Sequence, residues 1–137
     1  MNTLQQELVL IRGLPGSGKT TWAKLFVRDY YAHYEADMFF EFDGPYKFDA
    51  SKLGEAHAWC LRKTKESLEH GQSVVVANTF SRLWEMKPYI NLAERLFLPM
   101  RILVAKGNWP SVHRVPEEVV AKMVARWENV NLETESK

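Results

Sequence analysis

The stretch Gly13-Leu14-Pro15-Gly16-Ser17-Gly18-Lys19-Thr20 restricts what this chain can fold into more than any other. It fits the pattern of Gly, four residues, Gly, Lys, then Ser or Thr. Leu8-Val9-Leu10-Ile11 runs into it with the continuous apolar character of a buried parallel strand. Trp22, Ala23, Phe26 and Val27 follow it along one face of a helix. Strand, glycine turn and helix start thus stand in the order that turns successive backbone N–H groups inward on an anion, and the helix N-terminus adds unpaired donors and partial positive charge. Gly13, Gly16 and Gly18 allow a close approach that a Cβ would block, and Pro15 stiffens the turn. The pattern assigns Lys19 to the β- and γ-phosphates of a nucleoside triphosphate and the Thr20 hydroxyl to Mg²⁺, with Ser17 and Thr21 in the same nucleotide-binding stretch. The plainer alternative is a glycine turn with a solvated lysine.

Length and charge set bounds on the rest. The 137 residues suit a single domain, residues 1–137, with a core of about 8–129 and a tail from 131 onward expected to fray into solvent. A formal net charge of +1 provides no global field toward nucleic acid or anionic lipid, so any such contact must be local. The single cysteine, Cys60, falls in an amphipathic stretch and is expected in the core, in a reducing, cytoplasmic setting. No apolar run has signal-peptide or membrane-spanning character, so no membrane association is expected.

Taken in order, the chain predicts a first helix from Gly18 or Lys19 to about Tyr30, then a short strand over 31–36 that opens on Asp37-Met38-Phe39-Phe40. A carboxylate at the end of a parallel strand stands where open α/β sheets bind ligands. Asp37 there is placed to accept a proton from an attacking hydroxyl, or simply to cap a turn. Asp43-Gly44-Pro45 signals a turn, and Tyr46 and Phe48 either anchor that loop or stack on a base. A helix from Asp49 or Ser51 to about 70 carries Leu53, Ala56, Cys60 and Leu68 on its inner face, with His57 at the core edge or, alternatively, as a substrate contact, and stops at Gly71.

Residues 73–77 form the clearest strand, ending in Asn78-Thr79, and Ala77 and Asn78 stand where many phosphate-loop NTPases carry an Asp that helps hold Mg²⁺. Asn78 and Thr79 become candidates for holding an acceptor substrate, or a polar helix cap. The next helix begins near Leu83 with Pro88 confined to its first turn, and its inner face continues through Ile90, Ala93, Leu96 and Phe97. After a fourth strand, 100–105, the polar connection 106–116 brings Lys106, His113 and Arg114, cations either of a lid over phosphates or of a solvated surface. A last helix, 117 to about 129, turns Val120, Met123, Val124 and Trp127 inward and leaves Arg126 to reach a nucleotide or pair with an acid. Repeated strand–helix order implies a three-layer α/β/α domain with a small, mainly parallel sheet of about four strands.

These blocks together resemble the small P-loop kinases of the polynucleotide-kinase-like branch. The resemblance runs through Arg12 to Thr20, Glu35 to Phe40, and Tyr46 to Asp49 with Ala56-His57. It continues in Asn78-Thr79 with Trp84 to Tyr89, and in His113 to Pro116 with Met123 and Arg126-Trp127-Glu128, so that it spans residues 10–128. It implies an ATP-dependent phosphotransferase in which Asp37 is the general base on an acceptor hydroxyl. Lys19 and Thr20 would serve ATP and Mg²⁺, the segment around Arg114 would be the lid, and the acceptor would be a nucleotide or a 5′-hydroxyl polynucleotide end. The chain departs from the branch at Phe40, where the polynucleotide kinases carry Arg, at Ala77 in place of Asp, and in having Arg114 as the lone lid arginine. A small-metabolite or nucleoside kinase and a non-catalytic ATP-binding switch are the competing readings.

Overall fold

Strict alternation along the central strands decides the layers. In the computed structural model, which describes residues 5–41, 44–107, 115–130 and the backbone of 133–135, every residue of β1 (Leu8–Arg12) is buried. Leu8 and Leu10 face one side of the sheet and Val9 and Ile11 the other. The first helix, α1 (Lys19–Val27), covers the second side, with Ala23 buried and Trp22 and Phe26 packed beside it. Past the short edge strand β2 (Ala32–Tyr34) come α2 (Leu53–Glu69), β3 (Val74–Asn78) and α3 (Leu83–Arg95). Ala56, Cys60 and Leu68 of α2 and Met86, Tyr89 and Leu92 of α3 close the first side over Leu8, Leu10, Val74 and Val76. The result is the expected α/β/α sandwich.

With β4 (Met100–Val104), α4 (Glu117–Ala125) and β5 (Glu133–Glu135), the sheet has the order β2-β3-β1-β4-β5, parallel at every pairing. Parallel pairing brings all the C-terminal strand ends to one edge, with Arg12 in register with both Asn78 and Val104. The fifth strand was not expected: Ile102 pairs with Glu133 and Val104 with Glu135, where the sequence suggested a fraying tail. The open edge of β4 offers unpaired N–H and C=O groups that this backbone satisfies. No helix among the described residues is long and apolar enough to cross a membrane.

Several local expectations change for physical reasons. On α2, Leu53 is exposed, and the inner face instead includes Thr64, whose Oγ1 donates to the Cys60 carbonyl at 2.8 Å and so enters the core satisfied. His57 is exposed rather than at the core edge. Pro88 lies in the second turn of α3, not the first. Its ring faces solvent, and the Trp84 carbonyl that loses an intrahelical partner belongs to an exposed residue. Phe97 takes a left-handed φ of 56° as α3 ends, which throws its ring into solvent instead of the core. The last helix stops at Ala125 and contains no buried residue, with Val124 exposed.

Candidate nucleotide-binding site

At the C-terminal edge, β1 turns into the glycine loop, and the packing there explains why Gly13 has no side chain. A Cβ at Gly13 would lie 2.3 Å from Ser17 Oγ and 2.9 Å from the Ala105 carbonyl oxygen. The Gly13 N–H is held by the Thr79 carbonyl at 3.3 Å, and the Ser17 N–H closes the Pro15 turn onto Leu14 at 3.0 Å. Gly16 and Gly18 take left-handed φ of 82° and 91°, which glycine alone adopts without cost. Gly18 caps α1 without a side chain, and no acid occupies the first turn, so the N–H groups of Lys19, Thr20 and exposed Thr21 have no intrahelical acceptor. The buried Ser17 hydroxyl lacks a hydrogen-bond partner among the described residues. Unpaired N–H donors and an orphan hydroxyl on a left-handed glycine loop together fit phosphate oxygens.

Lys19 is half-buried, and its amine is held below the usual lysine range, chiefly by loss of water and against the pull of Glu35 and Asp37. These two carboxylates flank the start of a 3₁₀ turn, Ala36–Phe40, that follows β2. Glu35 is buried and bonded to His33 Nε2 at 2.7 Å. The Tyr46 hydroxyl donates to Asp37 Oδ1 at 3.4 Å, and its phenol is pushed up to about 12 by burial and then by Asp37. Asp37 thus stands near enough to the loop to act on Lys19, on the turn that follows β2.

Asn78, expected at an acceptor, is buried, and its carboxamide is committed inward. Oδ1 accepts the Ala36 N–H at 2.8 Å, while Nδ2 points to Cys60 Sγ at 3.7 Å. Cys60 is buried, as expected, and burial pushes its thiol up to about 11. Thr79 is half-buried and contributes its carbonyl to Gly13. Arg126 is exposed at the end of α4, where its carbonyl accepts from Arg82 Nη1 at 3.2 Å. His113 and Arg114 lie outside the described residues. The root of their segment is tied to the loop, because Ala105 N–H bonds the Arg12 carbonyl and Gly107 N–H the Ser17 carbonyl, both at 2.8 Å.

Two residues of this edge escaped sequence reasoning. One is Glu35, whose alternation with His33 on a strand end was the available signal. The other is Arg12, fully buried at the end of an apolar strand. Its Nε donates to the Phe80 carbonyl at 2.9 Å, and Nη2 donates to the carbonyls of Ser81 at 3.3 Å and Glu128 at 2.7 Å. The Trp127 ring lies 3.9 Å from the guanidinium carbon.

A parallel sheet with a glycine loop between its central strand and first helix, and a half-buried lysine opening that helix, defines a compact P-loop domain of the kinase type. The chain belongs to the AAA domain family, which it matches over residues 8–113. Human NEDD4-binding protein 2 is 42% identical over 133 residues, a match covering 88% of this chain and 8% of that protein. The chain therefore spans less than a tenth of that relative's length. Among solved structures, Kti12 of Chaetomium thermophilum in complex with ADP-AlF3 superposes with a TM-score of 0.65 at 16% identity, covering 90% of this chain and 81% of that one. A gluconokinase from Sinorhizobium meliloti 1021 gives 0.62 at 16% identity, covering 97% and 83%. A chain of the Pnkp1/Rnl/Hen1 complex gives 0.62 at 20% identity, covering 88% and 40%. At these identities the likeness shows the fold.

Proposed function

We propose that this domain is an ATP-dependent phosphotransferase whose acceptor is a hydroxyl of a nucleotide or of a 5′-hydroxyl polynucleotide end. The observation that carries the reading is Lys19, desolvated at the mouth of an uncapped glycine loop with the carboxylates of Glu35 and Asp37 acting on it. An anion at the loop favours the charged amine that burial disfavours. The fold shared with a gluconokinase and with Kti12 bound to ADP-AlF3 supports a kinase. The likeness to a chain of the Pnkp1/Rnl/Hen1 RNA repair complex supports a polynucleotide acceptor.

In the transfer, the acceptor oxygen bonds to the γ-phosphorus, and the bond from that phosphorus to the bridging oxygen breaks with its electron pair leaving on ADP. The hydroxyl proton passes to Asp37, which Tyr46 steadies through Oδ1. The loop N–H groups and Lys19 position the donor and stabilise charge that develops on it. The Thr20 hydroxyl would hold Mg²⁺, which when bound would add neutralisation of the phosphate oxygens. Arg114 and His113 are assigned to the closing lid, and Arg126 to the nucleotide's outer side. Ala77, standing where an acid often ends the strand, favours a second reading, a nucleotide-binding module without turnover.

Transfer of labelled γ-phosphate to 5′-hydroxyl DNA and RNA oligomers, nucleosides and nucleoside monophosphates tests this, with Lys19→Ala as blank. Asp37→Ala is expected to lower the rate by about 10²–10⁴-fold while ATP still binds. Transfer by Asp37→Ala at the unaltered rate overturns the assignment of the base. Label on small acceptors alone makes the protein a metabolite kinase, and ATP binding with no label favours the binding module.

A further inference from the structure

We propose that Asn78 is a positioning residue for Asp37, acting through the Ala36 peptide and not through contact with substrate. The inference rests on the reading of Asp37 as the base. Its origin is the way β2 ends. That strand pairs with β3 only from Ala32↔Val74 to Tyr34↔Val76, while β3 continues through Ala77 and Asn78. The ladder begins with the Ala32 N–H on the Ser73 carbonyl at 2.9 Å. Continued by the parallel pattern, it would send the Ala36 N–H to the Ala77 carbonyl and carry the chain onward as strand. Instead the Asn78 side chain takes that N–H at 2.8 Å. Glu35 is still extended, with φ −140° and ψ 145°, and the 3₁₀ turn that carries Asp37 begins at the next residue. The carboxamide is therefore the device that ends the strand and sets the direction in which Glu35 and Asp37 leave it.

The orientation of the amide is determined from both sides. An N–H donor at Ala36 requires the oxygen to face it, which turns Nδ2 to the weakly accepting Sγ of Cys60 at 3.7 Å. Asn78 is only 7% exposed, so little of it is left for an external ligand.

The test compares Asn78→Leu, which keeps volume and removes the acceptor, with Asn78→Asp, which restores an acceptor. N78L is expected to lower kcat at least tenfold with the KM values for ATP and acceptor unchanged within twofold, and N78D to recover most of that loss. Amide exchange at Ala36, followed by NMR without any turnover, is expected to quicken at least tenfold in N78L. An unchanged kcat, a raised acceptor KM at constant kcat, or unchanged Ala36 exchange overturns the proposal. So does an N78D variant as slow as N78L. If N78L does not fold, Asn78→Ser, too short to reach Ala36, gives the same two readouts. Absence of label in the unaltered protein sinks the phosphotransfer reading, whereas unaltered exchange sinks this one, so the two failures are separable.

Discussion

Substituting Gly13→Ala probes the glycine loop at the point where distance alone predicts the outcome. The new Cβ would meet Ser17 Oγ at 2.3 Å, the Ala105 carbonyl oxygen at 2.9 Å and Ser17 Cβ at 3.1 Å. The Ser17 hydroxyl can rotate away, but the other two are anchored. The Ala105 N–H bonds the Arg12 carbonyl at 2.8 Å, and the Ser17 carbonyl takes the Gly107 N–H at 2.8 Å. The loop and the chain after β4 must therefore separate by several tenths of an ångström, an overpacking cost of about 1–3 kcal/mol. Scaled to a chain of 137 residues, this lowers Tm by roughly 3–10 °C. The same shift spreads the N–H groups, and a tenfold loss of nucleotide affinity corresponds to about 1.4 kcal/mol. At an ATP concentration of 100 Kd for the unaltered protein, ligand stabilisation should then fall from about 2.7 to about 1.4 kcal/mol. Thermal unfolding with and without ATP-Mg²⁺ measures both effects. Gly54→Ala is the control: nothing lies within 4 Å of its would-be Cβ, and the helix gains about 0.5–1 kcal/mol from the exchange. A Gly13→Ala protein with unaltered Tm and ATP affinity refutes the packing argument.

Two further expectations concern titrating side chains. The Lys19 amine has a folded-state pKa below its ordinary 10.5, so its charge penalises the folded state at neutral pH, and the penalty is relieved as pH rises through the folded value toward 10.5. Lys19→Met should accordingly raise the Tm of the ligand-free protein at pH 7, lose that advantage above pH 10.5, and abolish stabilisation by ATP; a lower Tm at pH 7 counts against it. Tyr31 donates to Glu7, whose carboxylate also receives Arg101 Nε at 3.0 Å and Nη2 at 2.7 Å, and burial and Glu7 push the phenol up to about 12. The raised pKa means stability present below pH 10 and lost as pH rises through 12. Tyr31→Phe should therefore cost about 1 kcal/mol in urea unfolding at pH 8, and the gap should shrink by pH 11.5; a constant gap would show that the hydroxyl's titration is not involved.

What the sequence made legible was whatever depends on near neighbours. The glycine loop, the helix stop at Gly71 and the two-sided burial of residues 8–11 and 74–77 follow from local pattern and appear as expected. Asp37 was legible as a residue beside the loop. Its support was not, because Asn78 acts on a peptide 42 positions away and its inward turn depends on a thiol of α2. Helical spacing predicted an inner face for Phe97 and Val124, but spacing holds only while the helix lasts and while something packs against it. A left-handed turn removes Phe97, and α4 buries no residue fully. Pro88 shows the converse: its missing N–H is harmless in the second turn because the carbonyl it abandons lies on a solvent-facing stretch.

Arg12 gives this edge of the molecule a mechanical property. Its carbonyl receives the chain as it leaves β4 at Ala105, and its guanidinium grips the same chain again at Glu128. Ala105 and Glu128, on either side of α4, are thus two fastenings on one staple at the root of the glycine loop. Neither fastening can shift along the sheet edge without moving the staple, and with it the other. A displacement at either fastening is therefore felt first at the residue immediately before Gly13.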